Sequence, residues 1–336
     1  MNKTLIPILM LTAGLLLAGT LPAAETAPPV AGSPPSGASQ PAAGDPVVTE
    51  PAAAPGAMRF ETPDAAALAL IEAAAAEGSD LLLAVLGPDL AEMVSGDPVA
   101  DAAARAWLVE HAQLAAQIED ETGDSALLVI GPDDWPFPIP LAKDDQGWFF
   151  DTAAGLEELL NRRIGLNEIY TLAALRAFVE AQREYAALDP LGQGTPVFAD
   201  RILSSEGKRD GLYWPTQPGE PASPLGPLVA EAVGAGYGAS PTGEGPRPFH
   251  GYLYKILTAQ GDQAPGGAMS YFKEGRLTQG VALLAWPARY GHSGIMTFLV
   301  NHKGLVYEQD LGEDTGALAA AIEAYDPGEG WRAAVD

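Results

Sequence analysis

The amino-acid sequence predicts an α+β protein in which helices and antiparallel strands form separate blocks along the chain. Apolar residues at helical spacing come first, over residues 63–120. Short apolar runs bounded by turn residues follow, over residues 126–150. The same order, one long helix and then short strands, returns after residue 166. A block of helices followed by a block of strands is typical of α+β layers.

The N-terminus has the order of a secretory signal peptide. Lys3 precedes an uncharged apolar run over residues 5–21, small residues lead to Ala24, and polar chain begins at Glu25. We expect cleavage after Ala24. An uncleaved run of this length would be just long enough to anchor the chain in a bilayer. The sequence therefore predicts a periplasmic or secreted protein that meets a membrane only through an uncleaved signal segment.

Residues 25–57 are predicted to be a disordered spacer. Of these 33 residues 17 are Ala or Pro, and three are charged. Large apolar side chains are nearly absent, so burial cannot offset the entropy of ordering the chain. The predicted organisation is a signal peptide at 1–24, the spacer at 25–57, and two α+β units at 58–165 and 166–336.

The first unit is predicted to contain three helices and then three strands. Thr62 and Pro63 are suited to the start of a helix over residues 63–76, and further helices are predicted over 81–86 and 98–120. Strands are predicted over residues 126–130, 137–141 and 148–150. This order resembles a cone-shaped, cystatin-like sheet of the nuclear-transport-factor-two type, a fold that hosts both enzymes and binding modules.

The second unit is predicted to begin with one long helix over residues 166–187. Ile169, Leu172, Leu175 and Phe178 form an apolar stripe at helical spacing. Strands are then predicted over 252–258, 281–286, 295–300 and 305–308, before a last helix over 315–325.

A long helix followed by a short meander resembles the soluble head of type II secretion pseudopilins. Residues 181–185, 251–254 and 297–307 carry this likeness. The prepilin-type apolar segment that a pseudopilin fuses to this helix is replaced here by a whole unit upstream. The resemblance therefore implies a pilin-like unit without implying filament assembly.

The chain from about residue 60 onward also resembles the bacterial domain-of-unknown-function family 2950. The likeness is carried by Ser95-Gly-Asp-Pro98, Asp134-Trp-Pro-Phe-Pro-Ile-Pro140, Trp148-Phe-Phe-Asp151, Asn161-Arg-Arg-Ile-Gly165, Asp210-Gly-Leu-Tyr-Trp-Pro215, His250-Gly-Tyr252 and Tyr290-Gly-His-Ser-Gly-Ile-Met-Thr-Phe298. This resemblance implies an exported protein. It brings no known activity and no catalytic residues.

Composition excludes several functions. The formal net charge is −26, and residues 58–160 alone carry 21 acidic and 3 basic side chains, so nucleic acid is not an expected partner. Anionic lipid headgroups are disfavoured for the same reason. Cysteine is absent, and the four histidines lack metal-ligand spacing. No phosphate-binding loop or nucleophile elbow is present either. The sequence predicts no cofactor, no metal and no recognisable catalytic set.

The candidate functional residues are polar or aromatic side chains in irregular parts of the chain. They are Asp134, Trp135, Arg162, Arg163, Glu168, Lys208, Arg209, Asp210, Tyr213, Trp214 and His250. An arginine pair can clamp a carboxylate, and two adjacent aromatics can line a cleft. Each group also has a structural interpretation. The alternating prolines around Trp135 would make a rigid edge strand, the arginines would lock the units together, and Tyr213 and Trp214 would fold back onto the long helix as a plug.

Two functions are compatible with these residues. The first is a non-enzymatic binding or assembly role in the envelope, with a protein or a cell-wall component as the partner. The second is a hydrolase-like enzyme with a cleft between the units, near Asp134, Arg162, Asp210 and His250.

The first testable expectation concerns export. Fusion of residues 1–57 to a reporter should deliver the reporter across the inner membrane, because these residues hold the basic, apolar and small-residue regions of a signal peptide. N-terminal sequencing should find the mature chain beginning near Glu25. Recovery of Met1 from a soluble cytoplasmic fraction would contradict this expectation.

Overall fold

The protein is described here from a computed structural model. It covers residues 57–334, except residues 77, 94–96, 121–122, 193, 218 and 235–247. Three segments interpreted from the sequence lie outside the described residues. They are the predicted signal peptide, nearly all of the predicted spacer, and residues 95 and 96 of Ser95–Pro98, one of the segments that carry the family likeness.

Helices form the first part of the described chain. They are α1 (Pro63–Ala75), α2 (Asp80–Leu86), a 3-10 helix (Pro88–Met93) and α3 (Pro98–Leu114). Thr62 caps α1, because its hydroxyl accepts the N–H of Ala65, and Asp97 caps α3 in the same way. A proline follows each cap, where its missing N–H costs nothing.

An antiparallel sheet packs on these helices. Its strands are β1 (Ala116–Asp120), β2 (Ser125–Ile130), β3 (Trp135–Pro136), β4 (Leu141–Asp144) and β5 (Gly147–Phe150). The strand order is β1-β2-β4-β5, and β3 also pairs with β2. The order of helices and then strands confirms the predicted α+β class.

Two predicted boundaries in this region are wrong. The helix expected to reach residue 120 ends at Leu114, and residues 116–120 form β1 instead, because Ile118 pairs opposite Leu128. The strand expected at 137–141 is not continuous. The prolines at 136, 138 and 140 have no N–H to donate to a ladder, so regular pairing stops after Pro136 and resumes at Leu141.

A single helix, α4 (Thr152–Leu188), links the two parts of the fold. It has 37 residues and is about 55 Å long at 1.5 Å per residue. The prediction that it begins at residue 166 is wrong, because the Asp151 carboxylate caps the helix by accepting the Ala154 N–H, and residues 152–165 are already helical. Ile169, predicted in its apolar stripe, is 62% exposed, whereas Leu175 and Phe178 are buried as predicted.

The last part of the described chain is mostly strands. In chain order the elements are α5 (Gly226–Gly234), β6 (Tyr252–Leu257), β7 (Ala259–Gln260), β8 (Met269–Ser270), β9 (Phe272–Lys273), β10 (Arg276–Leu277), β11 (Ala282–Pro287), β12 (Met296–Asn301), β13 (Val306–Asp310), α6 (Thr315–Ala321) and β14 (Arg332–Ala333). The main sheet is antiparallel, in the order β14-β13-β12-β11-β6. Four of these strands were predicted to within two residues at each end, whereas α6 is shorter than predicted.

Buried apolar side chains form two separate cores. The first core lies within residues 66–159 and includes Leu70, Leu128 and Phe150. The second core lies within residues 175–325 and includes Phe178, Leu284 and Phe298. α4 contributes to both, since its first turns pack into the first core and its C-terminal half packs on β11 and β12. None of the described helices has both the length and the apolarity that a membrane span requires.

Two glycines of α4 provide a matched test of its packing. A Cβ at Gly155 would lie 2.6 Å from the Ile139 Cα, whereas a Cβ at Gly165 would meet nothing within 4 Å. We expect Gly155→Ala to lower the free energy of unfolding by about 1–3 kcal/mol. Gly165→Ala should raise it by about 0.5–1 kcal/mol, because alanine is the better helix former. Urea denaturation measures both, and equal effects of the two substitutions would contradict the close approach at Gly155.

Candidate functional site

The candidate residues predicted from the sequence lie in three different places. Lys208, Arg209, Asp210, Tyr213 and Trp214 belong to one loop. Asp134, Trp135 and Arg162 lie where α4 packs against the proline-rich segment. Arg163, Glu168 and His250 lie where the two cores meet.

The loop lines a cavity of about 550 Å³, which we call the cationic cavity. The lining consists of residues 203–209 and 213–215. The two arms of the loop are bonded together, since the Ser204 N–H donates to the Tyr213 carbonyl and the Tyr213 N–H donates to the Ile202 carbonyl, both at 2.8 Å. A Cβ on Gly211 would lie 2.7 Å from the backbone of Leu203 and Ser204. The bonded arms hold the backbone on either side of the cavity, and residues 206–209 of the lining are exposed to solvent.

Asp210 stabilises this loop by accepting hydrogen bonds from Ser205. Its carboxylate accepts the Ser205 N–H at 2.7 Å and the Ser205 hydroxyl at 2.8 Å, and it lies 3.8 Å from the Arg201 guanidinium. The hydrogen bond from the Ser205 backbone is the main cause that lowers the pKa of Asp210. A carboxylate engaged in this way is a structural acceptor.

Trp214 holds the loop on the long helix. Its side chain is 7% exposed, and its ring packs edge-on against Tyr185 of α4, with the ring centroids 6.4 Å apart. The Tyr185 hydroxyl donates to the Arg209 carbonyl at 2.9 Å, and the Arg209 guanidinium carbon lies 5.5 Å from the Trp214 ring centroid. Trp214 is therefore a buried anchor, whereas Tyr213 is half-buried at the cavity.

Arg162 packs α4 onto the proline-rich segment. Its guanidinium carbon lies 5.3 Å from the ring centroid of Trp135, which is buried, and it donates to the Pro136 carbonyl at 3.1 Å and to Glu158 at 2.6 Å. All three partners lie on the side of the first core, so these contacts do not lock the cores together. Asp134 is exposed in the adjoining turn, with φ of 50°.

Glu168 and Asn167 hold α4 to the loop before β12. One Glu168 carboxylate oxygen accepts the N–H groups of Ile295 and Met296, each at 3.0 Å, and the Tyr252 hydroxyl at 3.4 Å. The buried Asn167 side chain donates to the Ser293 carbonyl at 2.9 Å. Asn167 was not among the residues predicted from the sequence, because no local pattern reveals a partner that lies 126 residues away.

Asp97 joins the two cores directly. One of its carboxylate oxygens caps α3, and the other accepts the Gly251 N–H at 3.2 Å across 154 residues of sequence. Gly251 has φ of 73°, and a Cβ there would lie 2.5 Å from the Asn167 side-chain nitrogen. The sequence signal for Asp97 was its position before Pro98 at the start of a predicted helix, within the segment Ser95–Pro98 that carries part of the family likeness.

Two titratable side chains, those of His250 and Arg163, are partly buried in this region. His250 stacks on Tyr170 with ring centroids 4.4 Å apart, and burial lowers its pKa to about 4, although Asp97 opposes this. Burial also lowers the pKa of Arg163, and Asp101 opposes this effect whereas Arg289 adds to it. Among the described residues, the Arg163 Nη1 has no hydrogen-bond partner.

A second cavity, of about 210 Å³, lies between α4, α5 and the sheet. Its lining includes Phe178, Leu228, Phe249 and Leu283, and Tyr254 contributes a polar side chain. Burial raises the pKa of Tyr254, so its hydroxyl stays protonated. In the part of the chain that the structure describes, no three His, Asp or Glu side chains are arranged to hold a metal ion.

These observations define a class of protein: an α+β chain with two cores on one shared helix and a braced, partly cationic cavity on the second core. The family model described as "Protein of unknown function (DUF2950)" matches residues 57–334, and the chain belongs to this family. Neither the curated proteins nor the solved structures contain a significant match to the chain. The resemblance to pseudopilin heads is therefore not confirmed.

Truncation of Trp214 should destabilise the protein. We expect Trp214→Ala to lower the free energy of unfolding by about 3–5 kcal/mol, because a large buried ring is lost. Tyr213→Ala should cost less, since Tyr213 is only half-buried. Thermal melting and urea denaturation measure both variants. An unchanged melting temperature for Trp214→Ala would show that the ring does not anchor the loop.

The pKa of His250 predicts a loss of stability in acid. Between about pH 6.5 and pH 4 the unfolded chain takes up a proton at this histidine and the folded chain does not. The stability contributed by neutral His250 is complete above about pH 6.5 and falls by on the order of 3 kcal/mol towards pH 4. His250→Asn, which tolerates the positive φ, should show a shallower decline of unfolding free energy over this window. A decline as steep as that of the wild type would contradict the assignment.

Proposed function

We propose that this chain is an exported envelope protein that binds a partner at the cationic cavity and does not catalyse a reaction. The partner is an envelope protein or a cell-wall component. The observation that carries this proposal is a cavity of about 550 Å³ on a braced loop, lined by Lys208, Arg209 and Tyr213. Volumes between roughly 300 and 1,000 Å³ are typical of ligand sites.

The hydrogen bonds of the loop favour binding over hydrolysis. The Ser205 hydroxyl donates to Asp210, whose carboxylate also accepts the backbone of the loop, and the lining contains no histidine that could take the hydroxyl proton. Among the described residues that line the apolar cavity, the titratable group is the protonated Tyr254. General acid–base catalysis needs a group that exchanges a proton with the reactant.

The residues of the alternative hydrolase lie in separate environments. Asp134 is in an exposed turn and Arg162 packs on Trp135, whereas Asp210 braces the loop and His250 stacks on Tyr170. A nucleophile and a base need to be within hydrogen-bond reach. Asp210 bonds to Ser205 within its own loop and His250 stacks on Tyr170 of α4, and this separation favours the binding role.

Export is supported by the sequence order of residues 1–24 and by the composition of the spacer. A spacer rich in proline is semi-rigid and extended. We propose that it holds the folded part away from the membrane or cell wall when the signal segment remains uncleaved, and that the cleaved protein is periplasmic or secreted.

The proposed binding role is tested with the mature chain, residues 25–336, as bait for an envelope extract. We expect a discrete component at stoichiometric yield, and we expect the double variant Lys208→Gln, Arg209→Gln to lose at least nine-tenths of it. The matched control is Lys273→Gln, Arg276→Gln, which removes the same charge from the β9–β10 hairpin and should retain the component. Equal capture by both double variants would overturn the proposal.

A further inference from the structure

The cations of the cationic cavity are an exception on a strongly acidic chain. The net charge of the protein is −26, yet the cavity lining contains Lys208, Arg209 and one carboxylate, Glu206. Among the described residues, neither Lys208 nor Arg209 forms an ion pair, whereas nearby Arg201 is paired with Asp200 at 2.9 Å. Two cations without a protein counterion favour a ligand that supplies a negative charge.

Two contacts restrain Arg209 before a ligand arrives, one at its backbone and one at its exposed side chain. Its carbonyl accepts the Tyr185 hydroxyl, and its guanidinium lies over the buried Trp214 ring. A guanidinium restrained by a cation–π contact loses less conformational entropy when it binds. Its fork of N–H donors matches a carboxylate in a bidentate arrangement.

The rest of the lining is suited to a ring-shaped ligand with hydroxyl groups. Tyr213 is half-buried and lines the cavity, so part of its surface is available for apolar contact. Glu206 is exposed, and its carboxylate can accept hydrogen bonds from hydroxyl groups. A free inorganic anion would occupy only a small part of about 550 Å³. A whole anionic membrane surface is disfavoured by the charge of the chain, whereas a single anionic unit that enters the cavity meets the local cations Lys208 and Arg209.

We infer that the cationic cavity binds a carboxylated sugar unit of an envelope polysaccharide. The sugar carboxylate pairs with Arg209 and Lys208, the apolar face of the pyranose ring packs on Tyr213, and a ring hydroxyl donates to Glu206. This assignment rests on the proposed binding role of the same cavity. It identifies the chemical class of the ligand.

Calorimetric titration of the mature chain with tetragalacturonate tests the assignment. We expect saturable binding that weakens at least tenfold with the methyl ester of the same oligosaccharide, which has the sugar rings without the charge. Tetraglutamate, which has carboxylates without sugar rings, should also bind at least tenfold more weakly. Arg209→Gln and Tyr213→Ala should each weaken tetragalacturonate binding at least tenfold, whereas Lys273→Gln, Arg276→Gln should not. Thermal melting verifies that each variant is folded.

The outcomes separate this inference from the proposed function. Failure of the wild-type chain to bind tetragalacturonate, or equal binding of tetraglutamate, would overturn the saccharide assignment. If Lys208→Gln, Arg209→Gln nevertheless loses its envelope component, the cavity remains a binding site for another class of partner. Retention of that component by the double variant would overturn both proposals.

Discussion

The architecture depends on one rigid helix that serves two hydrophobic cores. α4 packs its first turns into the first core and its C-terminal half into the second, so the polar side chains of the stretch between them have to find partners outside the helix. Asn167 and Glu168 do this by bonding to backbone groups of the loop before β12. Because a helix does not bend freely, these contacts and the bond from Gly251 to Asp97 set how the cores are placed.

The junction between the cores and the cationic cavity use polar groups in different ways. At the junction, polar atoms are buried and satisfied mostly by backbone partners, as expected where an unpaired group would cost about 1–3 kcal/mol. At the cavity, Asp210 and Trp214 provide the same kind of internal support, but Lys208 and Arg209 remain exposed. The first arrangement stabilises a fold, and the second leaves charge available for a ligand.

This geometry explains some of the sequence segments that carry the family likeness. Asp97, Gly251 and Ser293 belong to three different segments that carry the family likeness, and they meet near Asn167 of α4. In the segment Asp210–Pro215 the aromatic residues have different environments. Trp214 is buried and supports the loop, whereas Tyr213 is half-buried. An unusual string of residues therefore marks a structural junction as readily as a ligand site, and burial distinguishes the two.

The sequence by itself determined the α+β class, the acidic charge and four strands of the second sheet, because alternation, turn residues and composition act over a few neighbouring residues. It also marked both Asp97 and Thr62 as residues that precede a proline at a helix start. Only the tertiary structure decided that residues 116–120 form a strand rather than the end of a helix, since that depends on the pairing of Ile118 with Leu128. The tertiary structure likewise separated the candidate residues into three places. Asp97 meets Gly251 across 154 residues, and no local pattern records a contact made at such a distance along the chain.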